Sequence, residues 1–182
     1  MLCRCGFGCY FGFDCCSLLS STGWYLPLQN TLLFPESALK DKADKELYKY
    51  WKQQGYLTVT SGNVTDYDYI TTDMLRYADV VNIQSVGYDK YNATQWAIDS
   101  TEQGLPLEEY PQTLGNFNMP TRELERLILS GKAVIDNNEI NRYCFRNVTL
   151  KSDYNGNVKP NKAVDKKKID GTIAMIQALG MI

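Results

Sequence analysis

NVTLKSDYNGNVKPNKAVDKKKIDGTIAMIQALG, residues 147–180, is the stretch whose reading decides the fold. Its first half holds two β-prone segments, 147–152 and 157–159, around Asn155-Gly156, a dipeptide favoured in tight hairpins because glycine accepts a positive φ. Its second half predicts a helix over about 164–179, with Ile169, Ile173 and Ile176 along one side. Between the two, Lys162, Lys166, Lys167 and Lys168 lead directly to Asp170. From Arg142 to Lys168, eight basic residues are opposed by Asp153 and Asp165 alone, so the segment carries +6 and the rest of the chain -8. A phosphate backbone is a natural partner for such a strip. The plainer alternative is a solvated, lysine-rich loop.

Working outward from this stretch, helices and strands alternate. Pro120 is expected to precede a helix carrying Leu124, Leu127, Ile128 and Leu129 up to Gly131, with a short strand over 132–135 after it. Residues 107–112 read as extended, and a helix over about 92–103 takes Asn92 as its cap and stops at Gly104. Before it, Ile83 to Tyr88 is a compact apolar run closed by Asp89. Asp66 is placed to cap a helix with Ile70, Met74, Tyr77 and Val81 on its apolar side, and 56–60 reads as a strand. Pro35 is expected to open a helix through Leu39, Ala43, Leu47 and Trp51 to Gly55. Residues 7–19 and 24–33 read as strands. The pattern predicts an α/β domain with a mixed sheet.

Composition limits the chemistry. The 182 residues are 44% hydrophobic and 22% charged, enough apolar material for one domain with a core. No run approaches the roughly 20 apolar residues that span a bilayer. The chain has no histidine, which excludes histidine bases, triads and metal ligands. Five of the six cysteines fall in the first 16 residues, at spacings that match neither a zinc site nor a disulfide framework. Asp14 interrupts the early apolar run and Arg4 is its lone early positive charge, a poor fit to a signal peptide, so the three N-x-T sequons carry no weight. Gly6, Gly8 and Gly12 miss the dinucleotide spacing, and no G-x4-G-K-[ST] phosphate loop occurs.

Carboxylates remain. Asp89 ends a strand where open α/β sheets place binding crevices, although a turn aspartate is the commoner reason for its place. Asp170 opens a helix, where a negative charge is mildly stabilising in any case. Asp14 sits amid apolar residues, which is costly unless it is paired or bound to metal. Three such aspartates meeting at one sheet edge could hold two divalent cations for phosphodiester cleavage without histidine.

The stretch from Leu47 onward resembles the C-terminal nuclease domain of the large terminase subunit of tailed bacteriophages. The pieces that carry the resemblance are YKYWKQQGYLTVTSGNVTDYDYI (48–70), VGYDKYNATQW (86–96), PTRELERLILSGKAV (120–134) and the opening quotation, with KIDG at the start of the last helix. The resemblance implies a ribonuclease H-like mixed β-sheet flanked by helices, and a single domain over 1–182 in which 35–182 matches the family. Residues 1–34 are then an atypical or truncated first hairpin, since Cys15-Cys16-Ser17-Leu18-Leu19 replaces the acidic and small residues the family carries after its first aspartate. It also implies a two-metal-ion endonuclease that cuts double-stranded DNA during phage genome packaging. Asp14, Asp89 and Asp170 would be its catalytic and metal-binding residues, two Mg2+ or Mn2+ ions its cofactors, and Lys159, Lys162, Lys166, Lys167 and Lys168 its DNA contacts. Small terminase subunit and portal protein are the implied partners, and the cytoplasm of a bacterial host, from a prophage, the implied location. The family's packaging ATPase has no counterpart in the sequence. A prophage remnant that keeps the fold and a binding surface without catalysis is the alternative.

Overall fold

Short apolar runs alternating with one-sided helices give a sheet covered on both faces. The computed structural model describes residues 5–11, 14–20, 26–36, 44–63, 66–91, 93–165 and 167–181, and before residue 33 the strand backbones alone. Three strands come first: β1 (Cys5–Phe11), β2 (Asp14–Ser20) and β3 (Leu26–Pro35). One strand was expected over 7–19. The run is about twice the usual strand length of roughly 5–6 residues, and it folds back on itself, Phe11 pairing with Asp14. Pro35 is the last residue of β3 and α1 spans Lys45–Gln53; residues 37–43, with Leu39 and Ala43 of the helix expected from Pro35, lie outside the described residues.

Next come β4 (Thr58–Thr60), α2 (Tyr67–Ala78), β5 (Ile83–Tyr88), α3 (Thr94–Glu102) and β6 (Leu107–Glu109). Asp66 caps α2 as expected, accepting from the Tyr69 N–H at 2.9 Å. Asn92 lies outside the described residues, and α3 starts after the buried Ala93 without a side-chain cap.

The remaining elements are α4 (Leu114–Leu129), β7 (Ala133–Ile135), α5 (Glu139–Arg146), β8 (Val148–Ser152), β9 (Val158–Lys162) and α6 (Asp170–Gly180). Pro120 sits inside α4, contrary to the expectation that it precedes the helix. Lacking an N–H, it leaves the Asn116 carbonyl without its helical donor, and the Tyr110 hydroxyl donates to that carbonyl at 2.7 Å. Helix α5 was not expected; Asn138 caps it, accepting from the Ile140 N–H at 2.8 Å. Helix α6 begins about six residues later than its periodicity suggested, because Lys167 N–H turns back to the Val164 carbonyl at 2.9 Å.

Among the described residues the main sheet runs β4-β3-β2-β1-β5-β6, with β7 also on β3, and β8–β9 form a separate hairpin. β2 is antiparallel to both its neighbours, whereas β1–β5, β5–β6, β3–β4 and β3–β7 are parallel. The carboxyl ends of β1, β3, β4, β5 and β6 therefore share one edge. Adjacent residues of β3 serve opposite faces, as the period of two requires. Leu33 packs with Ile70, Met74, Val86 and Trp96 under α2 and α3; Phe34 packs with Tyr48, Trp51, Cys144 and Ala174 under α1, α5 and α6. A third cluster joins Tyr110, Phe117 and Leu124 to Ile173 and Ile176 of α6. Burying those two isoleucines contributes about 1.5–3 kcal/mol each. Among the described residues no helix is long and apolar enough to cross a membrane.

Candidate active site

The course of α6 fixes the site. The helix packs chiefly against β1 and β2. Near its C-terminal end the Met181 carbonyl accepts from Ser85 Oγ of β5 at 3.4 Å. At its other end Ala174 shares a cluster with Phe34, at the carboxyl end of β3, and Phe34 stacks on Tyr48 at 5.3 Å. Asp170 lies one turn before Ala174 and so falls at the carboxyl edge of the sheet. It is 1% exposed. An ionised carboxylate so enclosed is costly unless it faces compensating charge, and Lys168 Nζ lies 3.9 Å from its Oδ2.

The surroundings register that charge. The Cys144 thiol is pushed up to about 12, chiefly by burial, and the Asp170 carboxylate adds to the rise while hydrogen bonds from the Gly171 and Thr172 backbone oppose it. The Tyr48 hydroxyl is also raised, by burial first and then by Tyr143, Asp44 and Asp170. Cys144 is buried and unoxidised, packed as a small apolar residue.

Asp89 follows the last residue of β5, at the same edge. It is half-buried, and its Oδ1 accepts from the Tyr91 N–H at 3.1 Å, so the turn use anticipated for it is realised. Asp14 opens β2, level with Phe11 of β1 and Leu33 of β3. That position is at the carboxyl edge, but two strands from β5, roughly 10 Å at the usual strand spacing. Among the described residues no three His, Cys, Asp or Glu side chains are grouped to hold an ion.

The basic residues divide into two sets. Lys162 of β9 is half-buried, and Lys151 of β8 is exposed. Lys159 instead donates to the Gln112 carbonyl and sits 5.4 Å over the Phe117 ring. Lys167 donates to Asp44 at 3.0 Å and lies 5.7 Å over Tyr143, whose hydroxyl donates to the same carboxylate at 3.2 Å. Lys166 lies outside the described residues. Sequence reasoning missed Asp44 and Tyr143: Asp44 stands in the run DKADK, which reads as solvated charge, and nothing local announces its distant partners.

The hairpin is also more elaborate than its Asn155-Gly156 signal. Residues 153–157 form the loop, with Asp153 Oδ1 accepting from the N–H groups of Asn155 at 2.9 Å and Asn157 at 2.8 Å, and Gly156 at φ 77°. Asn118 of α4 anchors it, accepting from the Val158 N–H at 2.9 Å and donating to Asn157 at 3.1 Å.

The family model described as "Terminase large subunit, endonuclease domain" matches residues 24–182, a range that includes Asp89 and Asp170 and excludes Asp14. The chain is 33% identical over 144 residues to Protein YmfN of Escherichia coli (strain K12), covering 78% of this chain and 31% of that protein. It is 27% identical over 150 residues to the large terminase subunit of Enterobacteria phage HK97, covering 80% and 30% of the two. The chain thus spans about a third of the curated relatives it matches. The crystal structure of the HK97 large terminase superposes with a TM-score of 0.84 at 22% identity, covering 100% of this chain and 39% of that one. The magnesium-bound large terminase nuclease of thermophilic phage G20c gives 0.61 at 12% identity, covering 98% and 80%. These superpositions carry the fold, which is the ribonuclease H-like one expected from the sequence.

Proposed function

The chain belongs to the family of terminase large-subunit endonuclease domains, and from that premise we propose that it is a metal-dependent endonuclease of double-stranded DNA acting in phage genome packaging. The observation that carries this reading is Asp170: a carboxylate 1% exposed, at the carboxyl edge of the sheet, within the part of the chain the family model matches. The donors suit the ions. Asp89 and Asp170 offer hard carboxylate oxygens and there is no histidine, a set that favours Mg2+ or Mn2+. Asp89 and Asp170 would hold the cations, with Asp14 as the third ligand. Bound in a pair, such ions activate water and stabilise the leaving oxygen of a phosphodiester.

The protein's own contribution is placement and charge. Helix α6 fixes Asp170 through the buried Ile173, Ala174 and Ile176. Lys151 and Lys162 stand on the hairpin whose second strand leads to Asp170, so their ammonium groups can track a phosphate backbone past the site. Lys159 and Lys167 would have to leave their protein partners before touching DNA. The packaging partners and the host cytoplasm follow from the family reading alone.

A catalytically silent remnant is favoured by one observation, the place of Asp14 on β2, outside the family match. A plasmid-nicking assay with Mn2+ or Mg2+, comparing the native chain with Asp89→Ala and Asp170→Ala, separates the two. Metal-dependent cleavage that EDTA and either substitution abolish supports the nuclease. Folded native protein that leaves the plasmid intact at every metal concentration supports the remnant.

A further inference from the structure

We propose, resting on the reading of Asp170 as a cation ligand, that Lys168 is a positioning residue that shares this carboxylate with the cation, balancing it in the cation-free protein and opposing cation entry. The ion pair is unlike the others among the described residues. Its two side chains, taken alone, are 19% and 2% exposed, whereas every other pair leaves at least 30% of each side chain open to solvent. Screening is correspondingly weak, so the two charges feel each other and any third charge more strongly than a surface pair would.

The root of the lysine is also held. The Lys168 carbonyl accepts from Asn147 Nδ2 at 3.4 Å. The preceding Lys167 is tied to Asp44 at 3.0 Å, and the following Ile169 is 5% exposed. Its ammonium therefore swings about a fixed root, and side-chain rotation alone can carry it off Asp170 while the loop stays in place. A divalent cation on Asp170 meets a like charge already within ion-pair distance. The free-protein state of the site is Lys168 on Asp170, and loading it with metal requires the ammonium to give way, toward solvent or toward a DNA phosphate. Cation uptake and DNA binding become coupled through one side chain.

The test has two arms. In EDTA, thermal melts of the native protein, K168Q, D170N and the double variant form a cycle. K168Q is expected to lower the Tm of the native chain and to leave that of D170N nearly unchanged. In the second arm, calorimetric titration with Mn2+ alone is expected to show K168Q binding at least about tenfold more tightly than the native chain, the effect of removing a like charge that faces the same carboxylate. K168R should stay close to native affinity, and K132Q, at an exposed lysine outside the site, should not differ from it. Equal losses of Tm in both backgrounds, or Mn2+ binding by K168Q no tighter than native, overturns the proposal. Native protein that takes up no Mn2+ removable by D170N overturns the cation reading itself, and the Lys168 proposal with it, even where the melts show the pair to be coupled.

Discussion

Asp89 and Asp170 lie at one edge of the same sheet and carry the same carboxylate, but the chain treats them in opposite ways. Asp89 is half-buried and uses an oxygen to close its own turn onto Tyr91 at 3.1 Å. Asp170 is 1% exposed, inside a wall built from α5, α6 and the loop after β9, with Lys168 at 3.9 Å. The first arrangement is stable in water for local reasons. The second is costlier, because taking a carboxylate out of water costs several kcal/mol, against which the charge of Lys168 at 3.9 Å is set. A site that keeps such a group at a sheet edge is one in which the charge has a use, and the contrast makes Asp170 the stronger functional candidate.

The largest expected effect is at Asp170. Asp170→Asn should reduce metal-dependent cleavage by at least the roughly 100-fold that changes outside the ligand set can reach. Retained cleavage would break the contrast.

Asp89→Asn separates turn from charge. The amide oxygen can still accept from Tyr91, so stability should change by no more than about 0.5 kcal/mol. Cleavage should nevertheless fall, and unchanged kinetics would reduce Asp89 to its turn.

Gly180→Ala probes how rigidly α6 is held. A Cβ there would run into the Tyr110 ring, 2.9 Å from Cε2, and that ring is held by its hydrogen bond to the Asn116 carbonyl. The overpacking should cost about 1–3 kcal/mol, read from the urea midpoint. No loss would mean that the helix end slides.

The smallest effect concerns the hairpin. Hydrogen bonds from Asn157, its side chain first, and from the Asn155 backbone hold Asp153 below its ordinary value of 3.8. A lowered folded value means that the stability it contributes is present above the ordinary value and lost as pH falls through the folded one. Protection of the Asn155 and Asn157 amides against exchange, relative to the intrinsic rate at each pH, should therefore fall as the pH drops below the ordinary carboxylate value in the native chain, with the step absent in Asp153→Asn. An unchanged acid step in the variant would assign it to other carboxylates.

How much of this was legible in the sequence depended on the range of the interactions. Asp66 and its helix, the strand ending at Tyr88, and the β8–β9 hairpin follow from local caps, apolar runs and turn residues, and the structure has them. Pro120 misled because a proline ends a helix only when nothing else satisfies the carbonyl it leaves open. Tyr110, six residues before Asn116, supplied the compensation for α4. Helix α5 was missed because its buried residues are few, Ile140, Asn141 and Cys144, and their burial depends on α1 and α6 arriving from elsewhere. Asp89 and Asp170 could be picked out as candidates, but their difference in burial could not, because it is set by α6 packing on the sheet. The same holds for Lys159 and Lys167, which read as open cations and are committed to Gln112 and Asp44.

The most direct check is crystallographic: soak or grow crystals with Mn2+ and compute an anomalous difference map at a wavelength where manganese scatters. A peak within coordination distance of Asp170 and Asp89, with Lys168 moved off the carboxylate, is the expected result. A map without an ion on Asp170, its carboxylate still facing Lys168 at high Mn2+, would contradict the assignment of this edge as a metal-dependent nuclease site.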